Sequence, residues 1–566
     1  MGEAGLILVN GKIRTPEHPS GFVPAMAIGG GMVRALGGDD EIRALAGPRA
    51  RVVDLRGRLA IPAFGDAHIH PVLGGLEGQR CNLTGQRTQP DCLSYIAAHS
   101  ARLPQDAWVQ GAGWAIPSFP HGIPHAELEK AAGGRPAFLL SQDHHSAWVN
   151  TSALRQAGIT AATPDPSDGR IERDASGEPT GTLRDGAMRA IANNVPEPTA
   201  GELTDALMTA QRFLHSVGIT SIQDACVGDA GELGIPDTFT TYLRAAAARQ
   251  LSMRVTGALW WDRHLGLAQL DGMLARRAAA DGGGYFRATS VKIMLDGVCE
   301  TFSAAMSRPY LNGHGRETTH SGSLFIDPGE LADVARRLSD HGFQIHFHAA
   351  GDRAVTAALD AIEELPRPAR DSARHHIAHA QFIRPHDLDR FSQSGAVATF
   401  QPLWACDNEW NHMLTVPFVG HERAAWQYRI GEIFRRAGRV AFGSDWPVTS
   451  PNPLQQIHVA VNRALSPRLG RPGSPETSRP LRPDEAIPVD AAVHAFTAGV
   501  AYVNHEEHVT GTLRAGMLAD VAVLDRDIYT IPPETIGETS VTMTIAGGQV
   551  VHGEEHVNAT PAATIR

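Results

Sequence analysis

His68 and His70 stand one residue apart at the end of the apolar run Ala60–His70. On a strand, residues i and i+2 face the same way, so this spacing aims two imidazoles at one point. Alone the pair says little: with 27 histidines in 566 residues, roughly one His-x-His pair arises by chance. Further residues of the same chemical kind end later apolar runs. Lys292 lies in Val291–Gly297, His346 and His348 in Gln344–Asp352, His379 in Ile377–Gln381, and Asp445 in Phe442–Pro447. Imidazoles with a carboxylate, leaving positions for water, are what a hard-to-borderline divalent metal takes. Each residue also has a bland reading. A strand-end histidine is more often a core or surface residue, a lone lysine in an apolar strand snorkels or pairs with a carboxylate, and Asp445 suits a helix N-cap. Of His346 and His348, at most one is expected to touch a metal at that strand end.

The elements needed to position these residues are legible. Eight strand-like runs occur, at Ala60–His70, Gly218–Asp224, Arg254–Trp260, Thr289–Leu295, Phe343–His348, His375–His379, Val397–Gln401 and Val440–Ser444. Helix-period stretches at 202–217, 265–280, 329–341 and 352–364 separate several of them. Alternation at this count predicts an α/β fold, a (β/α)8 TIM-like barrel, whose active-site residues sit at the C-terminal strand ends. The bland readings then weaken together, because all five segments fall at one end of one barrel. About 145 residues part the first run from the second, too many for a loop, so an inserted subdomain is expected at about 78–200, capping the barrel mouth. Residues 1–60 and 507–566 both read as short strands around turns, and neither holds enough apolar residues for its own core. Together they are expected to form one small β-sandwich domain flanking a barrel of 61–506.

Composition sets further bounds. The net charge of −11 and the lack of a basic stripe argue against nucleic acid. Five scattered cysteines without a Cys-x-x-Cys pair argue against a disulfide framework. The N-terminus carries no signal-like segment and no run is long enough to span a membrane, so a cytoplasmic location is expected. The expected partner is a small-molecule substrate, with a homodimer left open.

At this point the chain resembles the amidohydrolase superfamily, in the branch of N-substituted formamide deformylases and YtcJ-like hydrolases (Amidohydro_3 type). The segments that carry the likeness are His144–Asn150, Gly181–Asp185, Asp296–Glu300 and His348–Ala354. The resemblance implies that His68 and His70 hold one metal, that a carbamylated Lys292 bridges two ions of the zinc kind, that His348 and His379 hold the second, and that Asp445 sits beside the metal-bound water as catalytic base. Asp185 stands where this branch often has Glu, which bears on substrate contacts. Lysine reacts with CO2 only as the neutral amine, and burial in an apolar strand lowers its pKa toward that form. A bound divalent ion lowers the pKa of water to about 7; Asp445 can then take and return a proton. His346, His145 and Arg184 are candidates for orienting substrate or an oxyanion. The expected reaction is hydrolysis of a non-peptide C–N bond in an amide or N-substituted formamide with an apolar substituent. Esters, lactones or cyclic amides are the alternative, and a non-catalytic, metal-stabilised binding or regulatory protein is the alternative of another class. Trp108, Trp114, Phe119 and Trp148 either build an apolar pocket or, the favoured reading, form the insert's own core.

Overall fold

A computed structural model describes residues 4–119, 125–230, 235–282, 284–467 and 479–553. Its centre is an eight-stranded parallel sheet: β1 Phe64–Ile69, β2 Ile219–Val227, β3 Arg254–Trp260, β4 Phe286–Met294, β5 Gln344–Ala349, β6 His376–His379, β7 Val397–Phe400 and β8 Arg439–Phe442. Each strand pairs with the next in sequence order from β1 to β8. Bonds just beyond the strand ends draw β8 against β1: the Asp445 N–H donates to the His68 carbonyl (2.8 Å) and the His70 N–H to the Trp446 carbonyl (2.9 Å). All eight runs read from the sequence supply a strand of this barrel, the first through its second part alone, Phe64–Ile69. Helices cover its outside. In Pro328–Asp340, capped by Asp327 onto the Gly329 N–H, Leu331, Val334, Ala335 and Leu338 are buried at the i, i+3, i+4, i+7 positions of one face. A Thr199–Glu202 capping box starts Ala200–Ser216.

The first run divides at Ala63. Leu59–Pro62 leaves the barrel and joins a six-stranded sheet, where it pairs antiparallel with Val521–Leu524 in the register Ile61 to Ala522. A four-stranded sheet from residues 4–54 lies against it. Leu6, Leu8, Ile28 and Val53 from one sheet and Ile13, Val521 and Ile545 from the other share one apolar core. Residues 554–566 of the expected terminal domain lie outside the described residues.

Between β1 and β2 a separate six-stranded sheet runs from Cys81–Asn82 to Pro179–Asp185. Trp114, Phe119 and Trp148 pack edge-to-face at 5.1–6.3 Å between ring centres, and Trp108 packs with Phe138 and Leu183. These aromatics form the insert's own core. All five cysteines are buried and none forms a disulfide. Among the described residues no helix is long and apolar enough to cross a membrane.

Candidate metal centre

The strand ends deliver their side chains to one buried point. His68 Nε2 lies 3.3 Å from Asp445 Oδ1, and His70 Nε2 lies 3.2 Å from the same oxygen. Lys292 Nζ is 3.4 Å from His68 Nε2, and His379 Nδ1 is 3.9 Å from Asp445 Oδ2. The His348 and His379 rings stand 4.3 Å apart. All six residues line a cavity of about 470 Å3. The backbone is turned to make this possible: His379, Ala380 and Asp445 have φ of 71°, 42° and 56°, values that cost non-glycine residues energy and cluster at functional sites.

Several side chains hold the imidazoles in place. His68 Nδ1 meets His346 Nε2 at 2.8 Å, the Gln401 side-chain oxygen lies 2.9 Å from His379 Nδ1, and His348 Nε2 is 3.2 Å from the Gly297 carbonyl. Such outer partners fix ring orientation in metal sites. Asp66 adds a backbone clamp, its Oδ1 accepting from the N–H groups of His68 and Ser444, both at 3.0 Å.

Electrostatics favour ligand forms. Burial, with Lys292 alongside, pulls the His68 imidazolium down to about 3, and burial holds His348 and His379 well below the ordinary histidine value. These rings are neutral. Burial alone would push the Asp445 carboxyl up, but His68, His70 and His379 outweigh it and keep it ionised. Burial draws Lys292, only 3% exposed, down to about 8. Imidazole nitrogens of His68, His70 and His379 surround the Asp445 carboxylate at 3.2–3.9 Å, and His70 Nδ1 is buried with no partner. His68, His379 and Asp445 each offer a ligand atom within 4.8 Å of the others. The donor set fits a divalent cation.

The remaining predicted residues fall in different places. His145 lines the cavity, with Nδ1 2.6 Å from Asp185 Oδ1 and its ring 5.8 Å from that of His348. His346 does not line the cavity; it lies one layer deeper, fully buried, under His68 and 3.9 Å from the His376 ring. Arg184 is spent within the insert on Ser146 and Glu172 and also stays out of the cavity lining. Other polar residues close on the site without having been singled out. Asp296 accepts three backbone N–H groups, from Ala305, Ala350 and Gly351, bracing the loop after β5. Glu77 binds His144 at 3.0 Å. Asp296 lay within a recognised segment; nothing in the sequence marks Glu77, whose helix meets His144 only in the fold.

The sequence profile described as the amidohydrolase family matches residues 51–552. The chain belongs to the amidohydrolase family. It is 28% identical over 561 residues to the protein LONG AFTER FAR-RED 3 of Arabidopsis thaliana, covering 97% of this chain and 92% of that one. It is 26% identical over 554 residues to the N-substituted formamide deformylase of Arthrobacter pascens, covering 96% and 97%. Among solved structures it resembles an uncharacterized metal-dependent hydrolase from Pyrococcus furiosus, with TM-score 0.69, 26% identity, and 93% and 100% of the two chains covered. Barrel, donor set and family agree on a metal-dependent hydrolase.

Proposed function

We propose that this chain hydrolyses a non-peptide C–N bond in an amide or N-substituted formamide. The observation that carries the reading is the convergence of four histidines, Asp445 and Lys292 at the floor of one cavity. His68, His70, His348, His379, Asp445 and, once carbamylated, Lys292 would hold two divalent ions of the zinc kind. When bound, such ions acidify water and polarise a carbonyl. Lys292 is prepared for carbamylation because burial brings its pKa down to about 8, which leaves a reactive neutral fraction at physiological pH. Asp445, kept ionised, takes the proton of the attacking water and returns it to the leaving nitrogen. Asp185 engages Nδ1 of His145, so Nε2 is the atom left to meet the substrate carbonyl. His346 acts through His68 by fixing its ring.

The test is a panel of N-substituted formamides, amides, esters, lactones and cyclic amides incubated with metal-loaded protein and read by mass spectrometry. Formamides and amides are expected to turn over fastest. Faster turnover of esters or lactones overturns the C–N assignment, and a fully loaded protein that hydrolyses nothing in the panel favours a binding or regulatory role.

A further inference from the structure

Glu300 is a carboxylate that the hydrolytic machinery does not use. It lines the same cavity as the metal ligands. Its Oε1 accepts from the Thr415 hydroxyl at 3.0 Å and from the Gln381 amide at 3.4 Å, and Gln381 follows His379 by two residues, which ties this wall to the metal centre. Both donors are neutral. The groups acting most strongly on Glu300, apart from burial, are hydrogen-bond donors and the like-charged Asp143, and burial raises its carboxyl. Asp143 lines the same cavity; its Oδ1 is engaged with Ser141 and the His145 N–H, while its Oδ2 is buried without a hydrogen-bond partner.

The cations nearby are committed elsewhere or exposed. His145 is paired with Asp185, Lys292 belongs to the ligand cluster, and Arg87, which also lines the cavity, is exposed. Among the described residues neither Glu300 nor Asp143 has a lysine or arginine partner. Trp410 and Tyr428 add aromatic surface to the same cavity, and Asn411–Thr415, which brings Thr415 to Glu300, is a π-helical turn, a distortion found mostly at functional sites. Two carboxylates in one cavity without a lysine or arginine partner, one of them with an unpaired buried oxygen, beside aromatic surface are the composition that receives a cation.

We propose that Glu300, supported by Asp143, binds a protonated amine carried on the substrate, at a point removed from the bond that is cleaved. The substrate class is then an amide or formamide whose substituent carries a basic nitrogen. This rests on the hydrolase reading above for the word substrate, but not for the binding site itself.

The experiment uses full-length, metal-loaded protein and two probes of equal length, hexylammonium and 1-hexanol, with affinities measured by calorimetry at pH 7.5. Hexylammonium is expected to bind at least about tenfold tighter. Glu300→Gln is expected to shrink that advantage below about twofold, and Asp143→Asn to reduce it partly. Equal binding of the two probes by the wild type, which needs no variant to fold, overturns the proposal, as does an advantage that survives in folded Glu300→Gln. The turnover arm compares N-(5-aminopentyl)formamide with N-hexylformamide. If neither is hydrolysed while the ammonium preference holds, the hydrolase reading fails and the cation site stands.

Discussion

Asp66 makes no contact with a ligand atom, yet its replacement should cost the metal site. Its carboxylate accepts the N–H groups of His68 at 3.0 Å and of Ser444 at 3.0 and 3.1 Å, so one side chain joins the strand that carries His68 to the segment that carries Asp445. The side chain is wholly buried. Asp66→Ala leaves two buried backbone donors without an acceptor, at about 1–3 kcal/mol each, so about 2–6 kcal/mol in total. Asp66→Asn keeps Oδ1 for both donors but turns an amide N–H toward the Ser444 N–H in place of Oδ2, and should cost only about 1–2 kcal/mol. Chelator competition for zinc, followed by metal analysis after dialysis, separates the two. The Ala variant is expected to lose affinity by tenfold or more and the Asn variant by much less, in the same order as their urea midpoints. Wild-type metal affinity and stability in Asp66→Ala would refute the clamp.

Three further outcomes follow from the same geometry. Lys292, at about 8, is about 1% neutral at pH 6 and about 10% at pH 7, so reloading stripped protein with zinc should need CO2 and, at a fixed concentration of dissolved CO2, speed up about tenfold between those pH values; full reloading in CO2-free buffer counts against carbamylation, and Lys292→Ala should abolish the CO2 effect. Asp445→Asn should lower kcat by about 10²–10⁴-fold, and a variant with full metal and full activity removes Asp445 as the base. At Gly443 an added Cβ would sit 2.6 Å from the His68 backbone nitrogen, where no flexible side chain can give way, so Gly443→Ala should destabilise the seam by about 1–3 kcal/mol and weaken zinc binding; unchanged affinity in chelator competition speaks against that close approach.

The barrel was readable because each strand is an apolar run ended by turn residues and separated from the next by an amphipathic stretch; Thr289–Leu295 and His375–His379 needed only a few residues of adjustment. What the period could not show is depth. His346 and His348 share a strand face; the register sets His346 level with Lys292 and His376, yet of His346 and Lys292 only Lys292 lines the cavity. Nor does Ala60–His70 show that it serves two sheets, since Ala63 alone parts Leu59–Pro62 from Phe64–Ile69. Glu77, Glu300 and Asp66 reach the cavity or its ligand-bearing segments through contacts across large sequence separations, which no local spacing encodes.

The pairing of Leu59–Pro62 with Val521–Leu524 also sets a timetable for synthesis. The earlier strand leaves the ribosome roughly 460 residues before its partner, a wait of about 25–90 s at about 5–20 residues per second. Throughout that interval the strand just ahead of His68 has one open edge, and for most of it the proposed metal ligands from Lys292 to Asp445 are still being made. A nascent chain of this protein therefore has an apolar edge to shield until residue 524 has emerged and an incomplete set of proposed ligands until Asp445 has, so chaperone contact should fall within that interval and metal loading no earlier than its later part.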